Sequence, residues 1–295
     1  MKIIVFLLCL LIGSSSNSLA QDQSKEVAPS SETGYIDVED GKLYYETAGE
    51  GEHIVLIHDG LIHHEVWDGQ FPIFATKYRV IRYDRRGYGK SPNPQAPYSN
   101  IEDLNQLFIQ LNIDNAALFG ISAGGALAID FTLKYPEKVS ALVLVGAVVS
   151  GYGFTSHLLT RGGRVQSLED LLADPQKIIQ YFGWEDPYEI YPENRAAKEK
   201  CLKLLKTNPQ NADKSLIKFQ KPAERPAVRF LSEIKAPTLV LAGEHDIPDV
   251  HAHAGVIEVG IPNAKREIIL RAGHLIPMEQ PEAFNELVLT FLKKN

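Results

Sequence analysis

A serine hydroxyl attacks a carbonyl only when a base takes its proton, and one serine here stands where such a nucleophile is built. Gly120-Ile121-Ser122-Ala123-Gly124 follows the apolar run Ala116–Ile121 and precedes a helix-forming stretch that continues to Tyr135. On so tight a strand-to-helix turn the flanking residues are forced together, so small residues are needed two positions away on either side. The turn lifts the hydroxyl above the sheet edge and aims a helix N-terminus at developing negative charge. The candidate base is His274 in Arg271-Ala272-Gly273-His274, just past the run Glu267–Leu270. A carboxylate must hold that imidazole in one tautomer and stabilise its positive form. Asp246, in Gly243-Glu244-His245-Asp246, follows the run Thr238–Ala242 and fits that role, with Glu244 and Asp249 as rivals on the same loop.

Other residue types suggest other chemistry, but less coherently. His63-His64 and His251-x-His253 carry zinc-like spacing, yet no third-ligand motif accompanies them, and they read as loop residues near the rim of the site. No metal or other cofactor is expected. Cys201 lacks the surroundings of an activated thiolate and reads as a partly buried helix position.

The elements that must position these groups alternate along the chain. Short apolar runs at His53–His58, Arg79–Asp84, Ala116–Ile121, Ala141–Val148, Thr238–Ala242 and Glu267–Leu270 predict strands. Most lack polar alternation, as expected for parallel strands covered on both faces. Helices are expected over Ile101–Leu111, Ala123–Tyr135 and Pro281–Lys293. Tyr35–Val38 and Lys42–Thr47, joined through Asp40-Gly41, predict an antiparallel hairpin ahead of them. The result is an α/β fold with a mostly parallel, doubly wound sheet. Between residues 150 and 233 the strand signal stops, and amphipathic stretches at Leu168–Phe182 and Asn194–Thr207 predict a helical cap inserted between strands. That segment also holds loosely spaced aromatics: Tyr152, Phe154, Tyr181, Phe182, Trp184, Tyr188 and Tyr191.

In its order Ser122, Asp246, His274, each after its own strand, the chain resembles the α/β-hydrolase family. Three further segments share the resemblance. Asp84-Arg85-Arg86-Gly87-Tyr88-Gly89-Lys90-Ser91 is similar to the family's D-x-R-G-x-G-x-S turn, and His274 through Pro281 to its H-x-x-x-x-E-x-P ending. His58 with Trp67 nine residues on resembles its oxyanion loop. The resemblance covers a core of residues 34–149 and 234–295, with the cap, 150–233, where the family carries one. It implies an oxyanion hole made by the backbone N–H groups of Ala123 and Gly60. Asp59 departs from the pattern, since the family usually has Gly there; a carboxylate beside developing negative charge is unfavourable unless it points away or is held by hydrogen bonds.

The resemblance implies a serine hydrolase that cleaves a small to medium carboxylic ester through an acyl-enzyme. A lactonase is the alternative, and thioesterase, carbon–carbon hydrolase, perhydrolase and hydroxynitrile lyase chemistry share the scaffold. Serine as nucleophile argues against the haloalkane dehalogenase and epoxide hydrolase branches, which use Asp. Ala123 argues against proline iminopeptidases, which place Trp beside the nucleophile. A non-catalytic relative that binds a ligand in the same pocket is the reading of a different class, and the intact triad weighs against it.

Composition bounds the remainder. The 295 residues carry 44% hydrophobic and 23% charged side chains, enough apolar material for a substantial core. Lys2, the apolar run Ile3–Ile12 and Ser18-Leu19-Ala20 read as a secretory signal peptide over residues 1–20, cleaved near Ala20. The run is too short for a stable membrane anchor. The expectation is a secreted or periplasmic protein with residues 21–33 as a polar, disordered leader. Removing residues 1–20 takes away Lys2, so the full-chain charge of −7 would become −8. An acidic surface argues against nucleic acid as a partner and leaves a small-molecule ester or lactone.

Overall fold

A computed structural model describes residues 30–295. The expected signal peptide, residues 1–20, and positions 21–29 of the expected leader lie outside the described residues. An eight-stranded sheet organises the fold: β1 (Ser31–Val38), β2 (Gly41–Ala48), β3 (His53–Ile57), β4 (Arg79–Tyr83), β5 (Ala116–Ile121), β6 (Val139–Val145), β7 (Thr238–Gly243) and β8 (Ala264–Ile269). The strand order is β1-β2-β4-β3-β5-β6-β7-β8. β1 and β2 pair antiparallel, β2 runs antiparallel to β4, and every later pairing is parallel.

The first departure from the sequence reading is at Ser31–Thr33, assigned there to the polar leader. These residues pair instead with Ala48, Thr47 and Glu46, so the hairpin strand starts at Ser31, four residues ahead of Tyr35. β2 continues to Ala48, and its outer edge offers backbone partners along its whole length, which polar β1 residues can satisfy without a buried face.

β5 (AALFGI) and β7 (TLVLAG) are buried at every position, as unbroken apolar runs in a sheet covered on both sides must be. Successive side chains then serve opposite cores. Leu118 and Val240 belong to one core with Leu104, Phe108 and Phe131 of the helices α1 (Asn100–Gln110) and α2 (Ala123–Lys134). Phe119 and Leu241 face Trp67, Phe74 and Phe284, the last on the C-terminal helix (Pro281–Leu292). The polar β8 (AKREII) is an edge strand, half-exposed, and starts three residues before the run Glu267–Leu270 that announces it. Apolar periodicity underestimates such a strand because only one of its neighbours is a strand.

Residues 150–233, between β6 and β7, form no strand among the described residues. The single helix expected over Leu168–Phe182 is broken into Leu168–Leu172, Pro175–Gln180 and a π-helical turn at Tyr181–Glu185. Pro175 has no N–H to donate and disfavours helical backbone at Asp174, which instead caps the second piece through Gln176 and Lys177 N–H groups. Arg195–Thr207 forms α3, with Cys201 fully buried on its inner face. Pro248–Gly260 forms α4, an element the sequence reading omitted, and it carries His251 and His253.

Candidate active site

The ends of β3, β5, β7 and β8 converge at the carboxyl edge of the sheet, where open α/β sheets bind their ligands. Ser122 follows β5 with φ 52°, a left-handed backbone that a non-glycine residue adopts only when its surroundings enforce it. The surroundings are legible in the neighbouring glycines. A Cβ on Gly120 would sit 2.4 Å from the Gly124 carbonyl oxygen, and one on Gly124 would sit 2.5 Å from that of His58. The turn closes because neither has a side chain, and the Ser122 N–H is fixed to Val145 O at 2.8 Å.

His274 lies between β8 and a short helix, held from above by the inserted segment. Its N–H donates to the carbonyls of Tyr188 at 3.0 Å and Glu189 at 2.9 Å. Its imidazole Nδ1 lies 2.8 Å from Asp246 Oδ2, and the other Asp246 oxygen accepts from the Ile247 N–H at 2.7 Å. An acceptor carboxylate at Nδ1 places the ring proton there and leaves the Nε2 lone pair available. Burial pulls the imidazole pKa down, but the charge and hydrogen bond of Asp246 prevail, and the net direction is upward.

The rival acids are engaged elsewhere. Asp249 opens α4 and accepts from the Thr155 N–H at 2.6 Å and Oγ1 at 3.0 Å, fastening the insertion to the core. Glu244 accepts from the Arg271 N–H at 3.0 Å. Asp246 is thus the acid in hydrogen-bond reach of His274. Ser122, Ala123, Asp246 and His274 line one cavity of about 300 Å3 together with Asp59 and Gly60. No direct hydrogen bond joins Ser122 to His274 among the described residues; such contacts tighten when a substrate seats between them.

Gly60 and Ala123 adjoin across this cavity: a Cβ built on Gly60 would lie 3.6 Å from that of Ala123. Neither N–H donates to an acceptor among the described residues. Asp59 answers the difficulty its sequence position raised, because its Oδ1 accepts from the N–H groups of Leu61 and of Ile62, the latter at 2.8 Å. The carboxylate is bound into its own turn, and its Oδ2 is buried without a partner among the described residues.

Three of the four paired histidines, His63, His64 and His253, are buried. His64 Nδ1 lies 2.7 Å from Asp84 Oδ1 and its Nε2 3.2 Å from Glu46. His63 contacts Asn211 Nδ2 at 3.0 Å. His253 is fully buried on α4, not on a rim loop, and accepts from the Val149 N–H at 3.0 Å.

Three residues of the cavity wall have no counterpart among the sequence patterns above. Arg161, Glu189 and Lys214 enter the cavity from the insertion, whose aromatics supply only Phe154 and Phe182 to the lining. Glu189 is buried, and burial pushes its carboxyl up to about 7 against the opposing charges of His274 and Arg161. Glu279 is the glutamate of the H-x-x-x-x-E-x-P segment, and the structure gives it a contact role. Its carboxylate accepts from the Gly273 N–H at 2.9 Å and the Tyr191 N–H at 2.7 Å, tying the histidine loop to the insertion. Two other clefts, of about 410 and 440 Å3, are larger but hold no serine–histidine pair.

Comparison with known proteins agrees with this fold. Residues 52–281 match the family model described as alpha/beta hydrolase fold. A 2-hydroxy-6-oxononadienedioate/2-hydroxy-6-oxononatrienedioate hydrolase of Paraburkholderia phymatum is 32% identical, over 88% of this chain and 94% of its own. A carboxylesterase of Bacillus subtilis is 26% identical, over 92% of each. A solved structure described as an N-acyl homoserine lactone degrading enzyme is 26% identical and superposes with a TM-score of 0.66, covering 88% of this chain and all of that one. The protein is an enzyme, a hydrolase that belongs to the α/β-hydrolase fold family.

Proposed function

We propose that the enzyme cleaves a small to medium carboxylic ester by acyl transfer, with Ser122 as nucleophile, His274 as base and Asp246 as the orienting acid. The observation that carries this reading is the 2.8 Å Asp246–His274 contact at the cavity that holds Ser122. Ser122 Oγ attacks the carbonyl while His274 Nε2 takes its proton. The N–H groups of Ala123 and Gly60 receive the oxyanion, and His274 returns the proton to the leaving alkoxide. Water then attacks the acyl-enzyme by the same route in reverse roles.

Fluorophosphonate labelling and p-nitrophenyl ester turnover test the proposal. Ser122→Ala is expected to lose both, and Asp246→Asn to lose on the order of 10³–10⁴ in kcat through the wrong imidazole tautomer. Asp249→Asn should leave kcat within a few-fold of the parent while lowering stability, because it loosens Thr155 rather than His274. Turnover retained in Ser122→Ala, or a larger kcat loss in Asp249→Asn than in Asp246→Asn, would refute the assignment.

A lactone is the second reading, favoured by the similarity to the N-acyl homoserine lactone degrading enzyme. Ring opening uses the same steps, except that the leaving hydroxyl stays tethered. Side-by-side kcat/KM values for esters and lactones of equal carbon count decide between the two.

A further inference from the structure

Buried arginines normally pair with carboxylates, since leaving such a charge uncompensated costs several kcal/mol. Arg86 obeys the rule, with its Nε 2.7 Å and Nη2 2.8 Å from the two Asp103 oxygens. Arg85 does not. It is 5% exposed and forms no ion pair among the described residues, and its Nε has no partner there. Its guanidinium rests beside the Tyr88 ring, 5.0 Å from the centroid, and its Nη2 donates to the Asp59 carbonyl oxygen.

That carbonyl belongs to the peptide unit whose nitrogen is Gly60 N. A second donor reaches the same oxygen. His58 Nε2 accepts from the Arg85 N–H at 3.0 Å, so the proton sits on Nδ1, which donates to Asp59 O at 2.7 Å. Drawing electron density toward a carbonyl oxygen increases the double-bond character of its C–N bond and the positive charge on the N–H at the other end. Because the unit is planar and trans, fixing the C=O direction also fixes the opposed N–H direction. The far side of Gly60 is held too, since its own carbonyl accepts from Tyr88 Oη at 2.9 Å and Lys214 Nζ at 2.6 Å.

We propose that Arg85 is a positioning residue for the oxyanion hole: its guanidinium, bound to the Asp59 carbonyl, orients and polarises the Gly60 N–H toward the charge that develops on the substrate oxygen. The proposal rests on the acyl-transfer reading above. It also gives the turn Asp84–Ser91 a part in the chemistry through the residue after Asp84, and accounts for a buried cation that no carboxylate among the described residues neutralises.

The test compares Arg85→Met, Arg85→Gln and Arg85→Lys with the parent. The readouts are kcat and KM for a p-nitrophenyl ester, the affinity for an aryl trifluoromethyl ketone, whose serine adduct carries an oxyanion, and the melting temperature. Arg85→Met is expected to lose about tenfold in kcat, a fraction of the 10²–10³ that removal of a whole oxyanion donor costs. KM should stay within about twofold, and ketone affinity should fall by the same factor as kcat. Arg85→Lys, which keeps a cationic donor, should lie closer to the parent than Arg85→Gln. Parental kcat in Arg85→Met, or a lower melting temperature with the ratio of ketone affinity to KM unchanged, overturns the proposal in favour of a structural role. Should Arg85→Met not fold, the Lys and Gln variants decide: equal losses in the two, or a larger loss in Lys, overturn it. Ser122→Ala is run alongside. Turnover retained in Ser122→Ala sinks the acyl-transfer reading itself, whereas its loss beside parental Arg85 variants sinks only the role of Arg85.

Discussion

Replacing Gly146 by Ala would put a methyl group against the His274–Asp246 pair without touching either residue. Gly146 follows β6 with φ 51°, and a Cβ there would lie 2.9 Å from His274 Cε1 and Nδ1 and 3.2 Å from Asp246 Oδ2. Ordinary contact begins near 3.4 Å, so the imidazole must retreat by about half an ångström, or the backbone of residue 146 must move. Two costs follow. The left-handed backbone costs an alanine about 1–2 kcal/mol, partly offset by the lower entropy of the unfolded Ala chain. A net loss near 1 kcal/mol corresponds to about 2–4 °C in melting temperature for a chain of this size. The second cost falls on the reaction. Misplacing a reacting group by 1 Å can cost about 10²-fold, so half of that displacement is worth roughly tenfold in kcat.

Gly51→Ala separates the two costs. Gly51 also has a left-handed backbone, φ 97°, yet its added methyl would meet only the Lys77 carbonyl oxygen, at 3.6 Å. Both variants are expected to melt a few degrees below the parent, while only Gly146→Ala should lose turnover of a p-nitrophenyl ester. Equal kcat values for the two would show that the position of the imidazole does not govern the rate, and the reasoning from the 2.8 Å contact would be wrong.

Two further outcomes are expected. As a base His274 must be neutral, and its pKa is raised above 6.5, so kcat/KM should fall as pH drops through a limb lying above that value. Glu189 is one of the negative charges that raise it, after Asp246, so Glu189→Gln should move the limb to lower pH; an unmoved or rising limb would rule out that coupling. Glu279→Gln leaves one acceptor oxygen for the two N–H groups of Gly273 and Tyr191, and turns an amide toward the other. Urea unfolding should register a loss of about 1–3 kcal/mol, with a lower kcat from the loosened histidine loop; full stability would remove Glu279 from that role.

Ser122 was legible because its turn is a local steric problem, solved by glycines two positions away on each side, and such a solution is written in adjacent residues. The His274 loop is nearly as local. Strand position and order favour Asp246 but leave Asp249, three residues on, as a rival, because the feature that separates them is Pro248. It starts α4 and commits Asp249 to Thr155, 94 positions distant in sequence. The same distance hid Arg161, Glu189 and Lys214, which reach the cavity only through packing of the insertion. Helix α4 is faint for a different reason: its His, Ala and Gly residues give little amphipathic contrast, and although it buries one face, with Val250, His253, Ala254 and Ile257, its outer face carries the exposed Val259. Where an element's partners lie on one side only, as at β1 and β8, apolar periodicity sets the start late, by four and three residues.

The contacts of the insertion argue against treating it as a specificity cover laid over an independent catalytic core. The carbonyls of Tyr188 and Glu189 accept the His274 N–H, Tyr191 shares the Glu279 carboxylate with Gly273, and Lys214 donates to the Gly60 carbonyl. One segment therefore holds the His274 loop and the Gly60 loop, which the proposed mechanism uses for the base and the oxyanion hole, from the same side, while Phe154, Leu158 and Phe182 line the cavity between them. A substrate that shifts this segment to fit shifts both loops with it. Selectivity in such an arrangement is expressed in the rate of the chemical step as well as in binding, because a poorly fitting acyl group leaves the imidazole and the Gly60 N–H out of place.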